Sequence, residues 1–195
     1  MGGKPNIKDY SCVLVVEGYS DLTFYAELLE HLDIHHVFIQ CFNGRDDIET
    51  KLEDIISPQL LTEKQSIAVL VDADEDGDKV GRRLATLLHE ITGKYAEIGG
   101  WSSGKPKIGL FVVPEGRGEI ESLVWQAWSN DPVNDKLKHC IQAYIACMQA
   151  NGVAAKSPEK GLVGALLALR NDDDPALDRG PAPGFLTSAA PSMRR

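Results

Sequence analysis

The sequence has little cysteine, and its cysteines are not spaced for a metal or disulfide framework. Only four of the 195 residues are cysteines, and no two of them form the C-x-x-C pair that is typical of zinc and redox sites. Cys12 and Cys41 fall within apolar segments typical of strands, where cysteine behaves as a small hydrophobic residue. We therefore expect a cytoplasmic protein that needs no disulfide.

Long hydrophobic runs are also absent. No apolar run approaches the roughly 18 residues of a membrane-spanning helix, and the first residues lack the apolar stretch of a signal peptide. With 43% hydrophobic and 25% charged residues, the composition is that of a globular protein. The length suits one domain with a sizeable core and an extension. Because long apolar runs are missing, we expect no membrane partner. The sequence leaves the oligomeric state open.

Basic residues are scarce relative to acidic ones. Twenty Lys and Arg against 29 Asp and Glu give a formal net charge of −9. Because non-specific binding of nucleic acid depends on Lys and Arg that neutralise phosphates, this surplus argues against a protein that coats nucleic acid by charge alone. It does not exclude a nucleic-acid enzyme, since clustered carboxylates can bind metal ions that face the phosphate.

Between residues 10 and 128, short apolar runs alternate with longer helical patterns. This alternation predicts an α/β domain, a mostly parallel four-stranded sheet flanked by helices. The predicted strands are 12–16, 37–42, 67–71 and 108–113, and a glycine-rich loop that we expect to be flexible spans 93–107. A helical pattern near 120–128 ends this domain, and helical patterns near 135–149 and 159–170 predict a C-terminal helical extension over residues 129–170. The Pro/Gly/Ala-rich residues 171–195 are predicted to be a disordered tail.

Carboxylates follow three of the predicted strands. Glu17 comes after the first strand, Asp72 and Asp74 after the third, and Glu119 and Glu121 after the fourth. In a parallel α/β sheet, ligands bind beyond the carboxyl ends of the strands. Converging carboxylates need a cation, and Mg²⁺ prefers such oxygen ligands. Residues two apart in extended backbone point to one side, so Asp72 and Asp74 can reach one metal ion.

Two other motifs share the Asp-x-Asp pattern. The run that begins at Asp72 matches the opening of an EF-hand loop, but Arg83 stands at the twelfth position, where a calcium loop has glutamate. A phosphatase of the haloacid dehalogenase kind also places Asp-x-Asp after a strand. There the motif normally opens the fold and precedes threonine, whereas here it follows the third predicted strand. Both interpretations are weaker than a magnesium site.

Taken together, these residues resemble the Toprim superfamily. The matching segments are Val13-Leu-Val-Val-Glu-Gly-Tyr-Ser-Asp21 and Val69-Leu-Val-Asp-Ala-Asp74, in this order and about fifty residues apart. The segment Gly118-Glu-Ile-Glu-Ser-Leu123 is similar to the acidic segment of small standalone Toprim-like proteins and of OLD-family nucleases. The resemblance implies a Toprim-like (Rossmann-like) fold and a bound Mg²⁺ or Mn²⁺.

The resemblance also implies roles for individual residues. Glu17 would be a general acid or base or a metal ligand, while Asp72 and Asp74 would be catalytic and bind the metal. Glu121 is a candidate ligand of a second metal, with Glu119 as the alternative. Asp21 is a further metal-ligand candidate, although a carboxylate in the first turn of a helix is favoured there in any case.

The remaining candidates concern nucleic acid. Arg45, Lys105 and Lys107 are predicted to contact phosphates, and the sequence does not rank Arg45 above Arg82, Arg83 or Arg117. Trp101 in the glycine-rich loop either stacks on a base or packs on the protein surface. The chain has no P-loop motif, no zinc-binding cysteines and no room for a topoisomerase tyrosine domain. We therefore predict a Mg²⁺-dependent phosphodiester hydrolase acting on DNA or RNA. The alternative is a non-hydrolytic module that binds metal, nucleotide or nucleic acid with a partner protein.

Overall fold

The computed structural model describes residues 6–153 and 157–170 and shows a mixed α/β protein. Its strands are Cys12–Val16 (β1), Val37–Cys41 (β2), Ser66–Asp72 (β3), Gly100–Trp101 (β4) and Lys107–Val113 (β5). Its helices are Tyr19–His31 (α1), Arg45–Ile55 (α2), Pro58–Glu63 (α3), Gly77–Thr92 (α4), Ile120–Ser129 (α5), Asp135–Ala150 (α6) and Pro158–Arg170 (α7). The predicted disordered tail, 171–195, lies outside the described residues.

The five strands form one sheet in the order β2-β1-β3-β5-β4. Strands β2, β1, β3 and β5 run parallel to one another, and β4 pairs antiparallel with β5. Strand β1, Cys-Val-Leu-Val-Val, lies between β2 and β3 and is a continuous apolar run, as expected of a strand covered on both faces. The prediction of a mostly parallel sheet flanked by helices is confirmed, but the described residues form five strands where four were predicted. The four predicted strands match β1, β2, β3 and β5 to within one residue at each end.

The fifth strand lies in the loop that the sequence predicted to be flexible. Trp101 in β4 pairs with Gly109 in β5, and the ring centroids of Trp101 and Phe111 are 5.4 Å apart. A Cβ atom at Gly109 would lie 2.8 Å from the Trp101 ring. The bare glycine therefore gives the indole a place on the sheet, which orders part of this loop.

One face of the sheet is packed against α2, α3 and α4. The strands contribute the alternate residues of their apolar runs, and the helices contribute residues at helical spacing. The main buried contacts are Val13, Val15, Ile67, Val69, Ile108 and Leu110 from the strands and Ile48, Leu52, Leu60, Leu84 and Leu88 from the helices. This layer fixes the strand ends that carry the candidate site.

Two helices on this face begin and end as their sequences dictate. Pro58 occupies the first turn of α3, and the Ser57 side chain accepts a hydrogen bond from the Leu60 amide. Helix α4 begins three residues before its apolar pattern because the Asp76 side chain caps it. Gly93 ends α4 in a left-handed conformation with φ of 68°.

The chain divides into two compact units, Met1–Gly118 and Glu119–Arg195. The first contains the sheet with α1 to α4, and the second contains α5, α6 and α7, whose buried residues include Trp128, Ile141, Val163 and Leu166. Helix α5 thus groups with the C-terminal helices. The sequence predicts a later domain boundary, at residue 128, and that boundary stays a prediction. Within residues 6–153 and 157–170, no helix is long and apolar enough to cross a membrane.

A candidate site at the carboxyl ends of the strands

Two of the predicted site residues lie side by side because β1 and β3 are neighbouring parallel strands. Val16 is in register with Leu70, so Glu17 directly after β1 and Asp72 at the end of β3 reach the same edge of the sheet. Asp74 follows two residues later. This is the edge at which open α/β sheets bind ligands.

Asp74 is held in an unusual backbone conformation by the loop that follows β5. Its amide donates to the Gly118 carbonyl and its carbonyl accepts from the Gly118 amide, both over 2.8 Å. The φ angle of Asp74 is 49°, a left-handed value that aspartate adopts more readily than most residues. The hydrogen bond from the Ala73 amide to the Val113 carbonyl, 3.0 Å, fixes the preceding residue. The Asp-x-Asp segment is therefore not a free acidic loop.

Arg45 joins the two sides of the site. Its Nε donates to Glu17 Oε1 over 3.0 Å, and its Nη2 donates to Asp74 Oδ2 over 2.5 Å. The same Nη2 donates to the main-chain oxygen of Asp72 over 3.1 Å. Oxygens of all three predicted catalytic residues thus converge on one guanidinium.

The turn before α2 places Arg45 at this point. The Phe42 amide donates to the Val16 carbonyl over 3.2 Å, and the Gly44 amide donates to the Glu17 carbonyl over 2.9 Å. Gly44 has φ of 96° and ψ of 174°, a region essentially restricted to glycine. Arg45 is the first residue of α2, so the turn carries it directly to the end of β1.

The network is partly shielded from water. The exposed side-chain fraction is 15% for Glu17 and 20% for Arg45, against 48% for Asp74. Burial raises the pKa of Glu17, the Arg45 charge and hydrogen bond work against this, and the charges of Asp74 and Asp21 add to the rise. Burial works to lower the pKa of Arg45, but the carboxylates of Glu17 and Asp74 outweigh it and leave that pKa raised.

Tyr25 lies near the site and is not among the site residues predicted from the sequence. It is the buried residue of α1. Burial raises the pKa of its hydroxyl, and the charges of Asp21 and Asp72 raise it further. Tyr25 is therefore a neutral phenol beside these carboxylates, and the signal that could have found it is its position four residues after Asp21 on the same helix face.

Two of the other predicted metal ligands, Asp21 and Glu119, have identifiable structural partners. Asp21 Oδ2 accepts a hydrogen bond from the Gly18 amide over 2.9 Å at the start of α1. Glu119, in the second compact unit, accepts from Ser157 Oγ over 3.1 Å and pairs with Lys160 over 2.8 Å. Glu121 is buried in the first turn of α5 in the same unit. The contacts of Glu119 with Ser157 and Lys160 link the start of α5 to the start of α7.

The predicted phosphate-binding lysines are placed away from this edge. Lys107 begins β5, and the strand runs six residues further to Val113, beside Asp72. At about 3.3 Å per residue this is roughly 20 Å. Lys105 precedes Lys107 and is also exposed. Of the three predicted phosphate contacts, only Arg45 lies at the carboxylates.

The oxygens of Glu17, Asp72 and Asp74 match the chemistry of Mg²⁺ or Mn²⁺, which prefer carboxylate and carbonyl ligands. Within the described part of the chain, however, no three His, Cys, Asp or Glu side chains are arranged to hold a metal ion. The donors fit a divalent cation in kind, and in this arrangement they surround the guanidinium of Arg45 instead.

A cleft of about 570 Å³ lies beside Arg45 in the first compact unit. Its walls come from the first two turns of α2 and α4 and the loop after β3, and two of the residues that line it, Arg83 and Glu49, form an ion pair. The residues lining it are Arg45, Asp46, Glu49, Asp74, Glu75, Asp76, Lys79, Val80 and Arg83. The cleft leads from solvent to the Arg45 side of the site.

A family model described as "Protein of unknown function (DUF3226)" matches residues 11–193. The chain belongs to the DUF3226 family. In this DUF3226 chain the match spans both compact units, and Glu17, Arg45, Asp72 and Asp74 all lie within it. No curated protein and no solved structure matches the chain.

Proposed function

We propose that this DUF3226 protein is a metal-dependent phosphodiester hydrolase that acts on DNA or RNA at the carboxyl edge of its sheet. The observation that carries the proposal is the convergence of Glu17 Oε1, Asp74 Oδ2 and the Asp72 carbonyl on a single cationic group. Oxygens gathered around one positive charge are the arrangement that a divalent cation also requires.

The residues of the site have different proposed roles, metal binding for the aspartates and proton transfer for Glu17. Asp72 at the end of β3 and Asp74 two residues later would hold Mg²⁺ or Mn²⁺. A bound divalent cation supplies Lewis acidity, which polarises the scissile phosphate. Glu17 is suited to proton transfer, because its raised pKa lies closer to neutral pH than that of an exposed glutamate.

A Toprim-like fold is part of the same proposal. It is supported by the order of the motifs along the chain and by the neighbouring parallel strands β1 and β3 that carry them. Arg45 between the carboxylates is the feature that the Toprim resemblance did not lead us to expect.

A non-hydrolytic metal- or nucleotide-binding module is the second candidate. The ion pairs of Arg45 with Glu17 and Asp74 favour it, because they already neutralise the carboxylates without a metal. Metal-dependent binding of a nucleic acid or nucleotide with no product would distinguish this function from hydrolysis.

The direct test is incubation of the purified chain with nicked, linear and single-stranded DNA and with RNA, in Mg²⁺ or Mn²⁺. Asp74→Asn keeps a side chain that tolerates the positive φ angle while removing the charge. Asp76→Asn is its matched control, because asparagine also caps helices well and Asp76 caps α4. Cleavage that persists in Asp74→Asn at the wild-type rate would contradict the proposed function.

A further inference from the structure

We infer that Arg45 is the resident counter-cation of the site and that a divalent metal ion binds these carboxylates only in competition with it. The inference rests on the proposed function, because it concerns the metal ion of the same site. It assigns Arg45 a role in controlling metal binding, in addition to the predicted contact with substrate phosphate.

The first step is that Arg45 occupies the space between the acids. Its Nη2 alone bonds both the Asp72 carbonyl and Asp74 Oδ2, while Nε bonds Glu17 across the site. The guanidinium therefore lies at the centre of the oxygens that the proposed metal ion would use. A cation at hydrogen-bonding distance from these oxygens repels a second cation brought to them.

The second step is that the protein supplies this charge from within. Glu17 and Asp74 are two carboxylates bonded to the same guanidinium, and like charges held this close to each other repel. Arg45 offsets that repulsion in a setting where Glu17 and Arg45 are each at most one-fifth exposed. Water and salt screen such partly buried pairs less than surface pairs.

The third step is that Arg45 has room to leave. Its backbone lies at the first residue of α2, and its side chain, besides its hydrogen bonds to the site, lines the cleft of about 570 Å³ beside it. A guanidinium released from the carboxylates would reach into this cleft, where it can bond a phosphate with two parallel donors. Metal binding and phosphate binding would then draw on the same movement.

The test measures Mn²⁺ binding by the electron paramagnetic resonance signal of the free ion. Arg45→Met removes the charge but keeps a long side chain, and we expect its dissociation constant for Mn²⁺ to be at least about tenfold below that of the wild type. Arg45→Lys, which keeps a charge but loses the fork of donors, should fall between the two. Arg83→Met is the matched control, since Arg83 lines the same cleft but pairs with Glu49, and it should bind like the wild type.

A second readout follows Arg45 itself. In the metal-free protein the Nε–H of Arg45 is bonded to Glu17 and should give a side-chain NMR signal that exchanges slowly with water. The signal is assigned by its loss in Arg45→Lys. Titration with Mg²⁺ should shift it and speed its exchange, whereas a purely structural arginine would keep its signal unchanged.

The outcomes separate this inference from the proposed function. Tighter Mn²⁺ binding by Arg45→Met supports the inference, whether or not nucleic acid is cleaved. Equal or weaker binding by a folded Arg45→Met protein overturns it, while the cleavage assay still decides the hydrolase. If neither protein binds Mn²⁺ at millimolar concentration, the inference is overturned, and metal-independent cleavage would then show that the hydrolase also lacks the metal proposed for it.

Discussion

Arg45 Nε donates a hydrogen bond to Glu17 Oε1 over 3.0 Å and so links the first turn of α2 to the end of β1 across 28 residues of sequence. The backbone repeats the link, because the Gly44 amide donates to the Glu17 carbonyl over 2.9 Å. Side chain and main chain thus fix the same two elements together. The packing that holds β1 and α2 in place also sets the electrostatics of the candidate site.

Replacement of Arg45 by methionine should raise the pKa of Glu17 further. Burial already raises this pKa, and the charge and hydrogen bond of Arg45 are the contributions that oppose the rise. Methionine removes both and leaves the carboxyl shielded. Carbon-13 NMR titration of the glutamate side chains, with the Glu17 signal assigned by its loss in Glu17→Gln, measures the change. An unchanged or lower pKa in the folded variant would show that Arg45 does not bond Glu17.

The same substitution has a defined effect on stability as pH varies. A carboxyl whose folded pKa is raised destabilises the folded state fully above that pKa; the penalty shrinks as pH falls through it and is gone only below the ordinary pKa of glutamate. The penalty from Glu17 is larger in Arg45→Met. The difference in free energy of unfolding between the two proteins should therefore be greatest near neutral pH and shrink as pH falls through the Glu17 pKa, which urea denaturation at several pH values can follow.

Gly44→Ala should destabilise the protein by about 1–3 kcal/mol, the usual cost of forcing a side chain into such a backbone region. The cost comes from conformation, since no atom lies within 4 Å of the position that a Cβ would take. Gly164→Ala is the matched control, because Gly164 lies within α7 and also has open space around its Cβ position. Alanine should be neutral or stabilising there, so equal losses of stability would contradict the role of φ at Gly44.

The fold and the acids of the site could be predicted from the sequence because both depend on local patterns. The apolar runs predict the four parallel strands, and the position directly after a strand singles out Glu17, Asp72 and Asp74. Strand β4 is only two residues long, and it depends on how Trp101 packs over Gly109 from another segment. A pattern of residues along the chain does not contain such a contact.

The partner of Arg45 was out of reach for a related reason. The sequence identifies Arg45 as a cation near the edge of the sheet, and a substrate phosphate is the simplest anion to assign to it. Only the register of β1 with β3 and the glycine turn before α2 show that Arg45 bonds the protein's own carboxylates. The roles of Glu17, Asp72 and Asp74 in catalysis stay predictions.

Glu17→Gln should reduce the rate of cleavage about a hundredfold or more if Glu17 transfers a proton, since general acid–base catalysis contributes that much. Glutamine keeps an oxygen that can accept from Arg45, so the turn before α2 should persist. The pH dependence of kcat/KM in the wild type should show a group with a pKa above that of an ordinary glutamate, and Glu17→Gln should lose it. A profile with the same group in the variant would assign that proton transfer to another residue.

Gly109→Ala should destabilise the protein by about 1–3 kcal/mol, the usual cost of overpacking. The new Cβ would lie 2.8 Å from the Trp101 ring and 2.9 Å from that of Phe111. Trp101 is already 48% exposed as a residue, so its ring is the group that can move; it should swing into water and its fluorescence should shift to longer wavelength. The Trp101 signal is obtained by subtracting the spectrum of Trp101→Phe. If the variant kept both the wild-type spectrum and its stability, β4 would not be held by this ring, and Trp101 would be free to stack on a base.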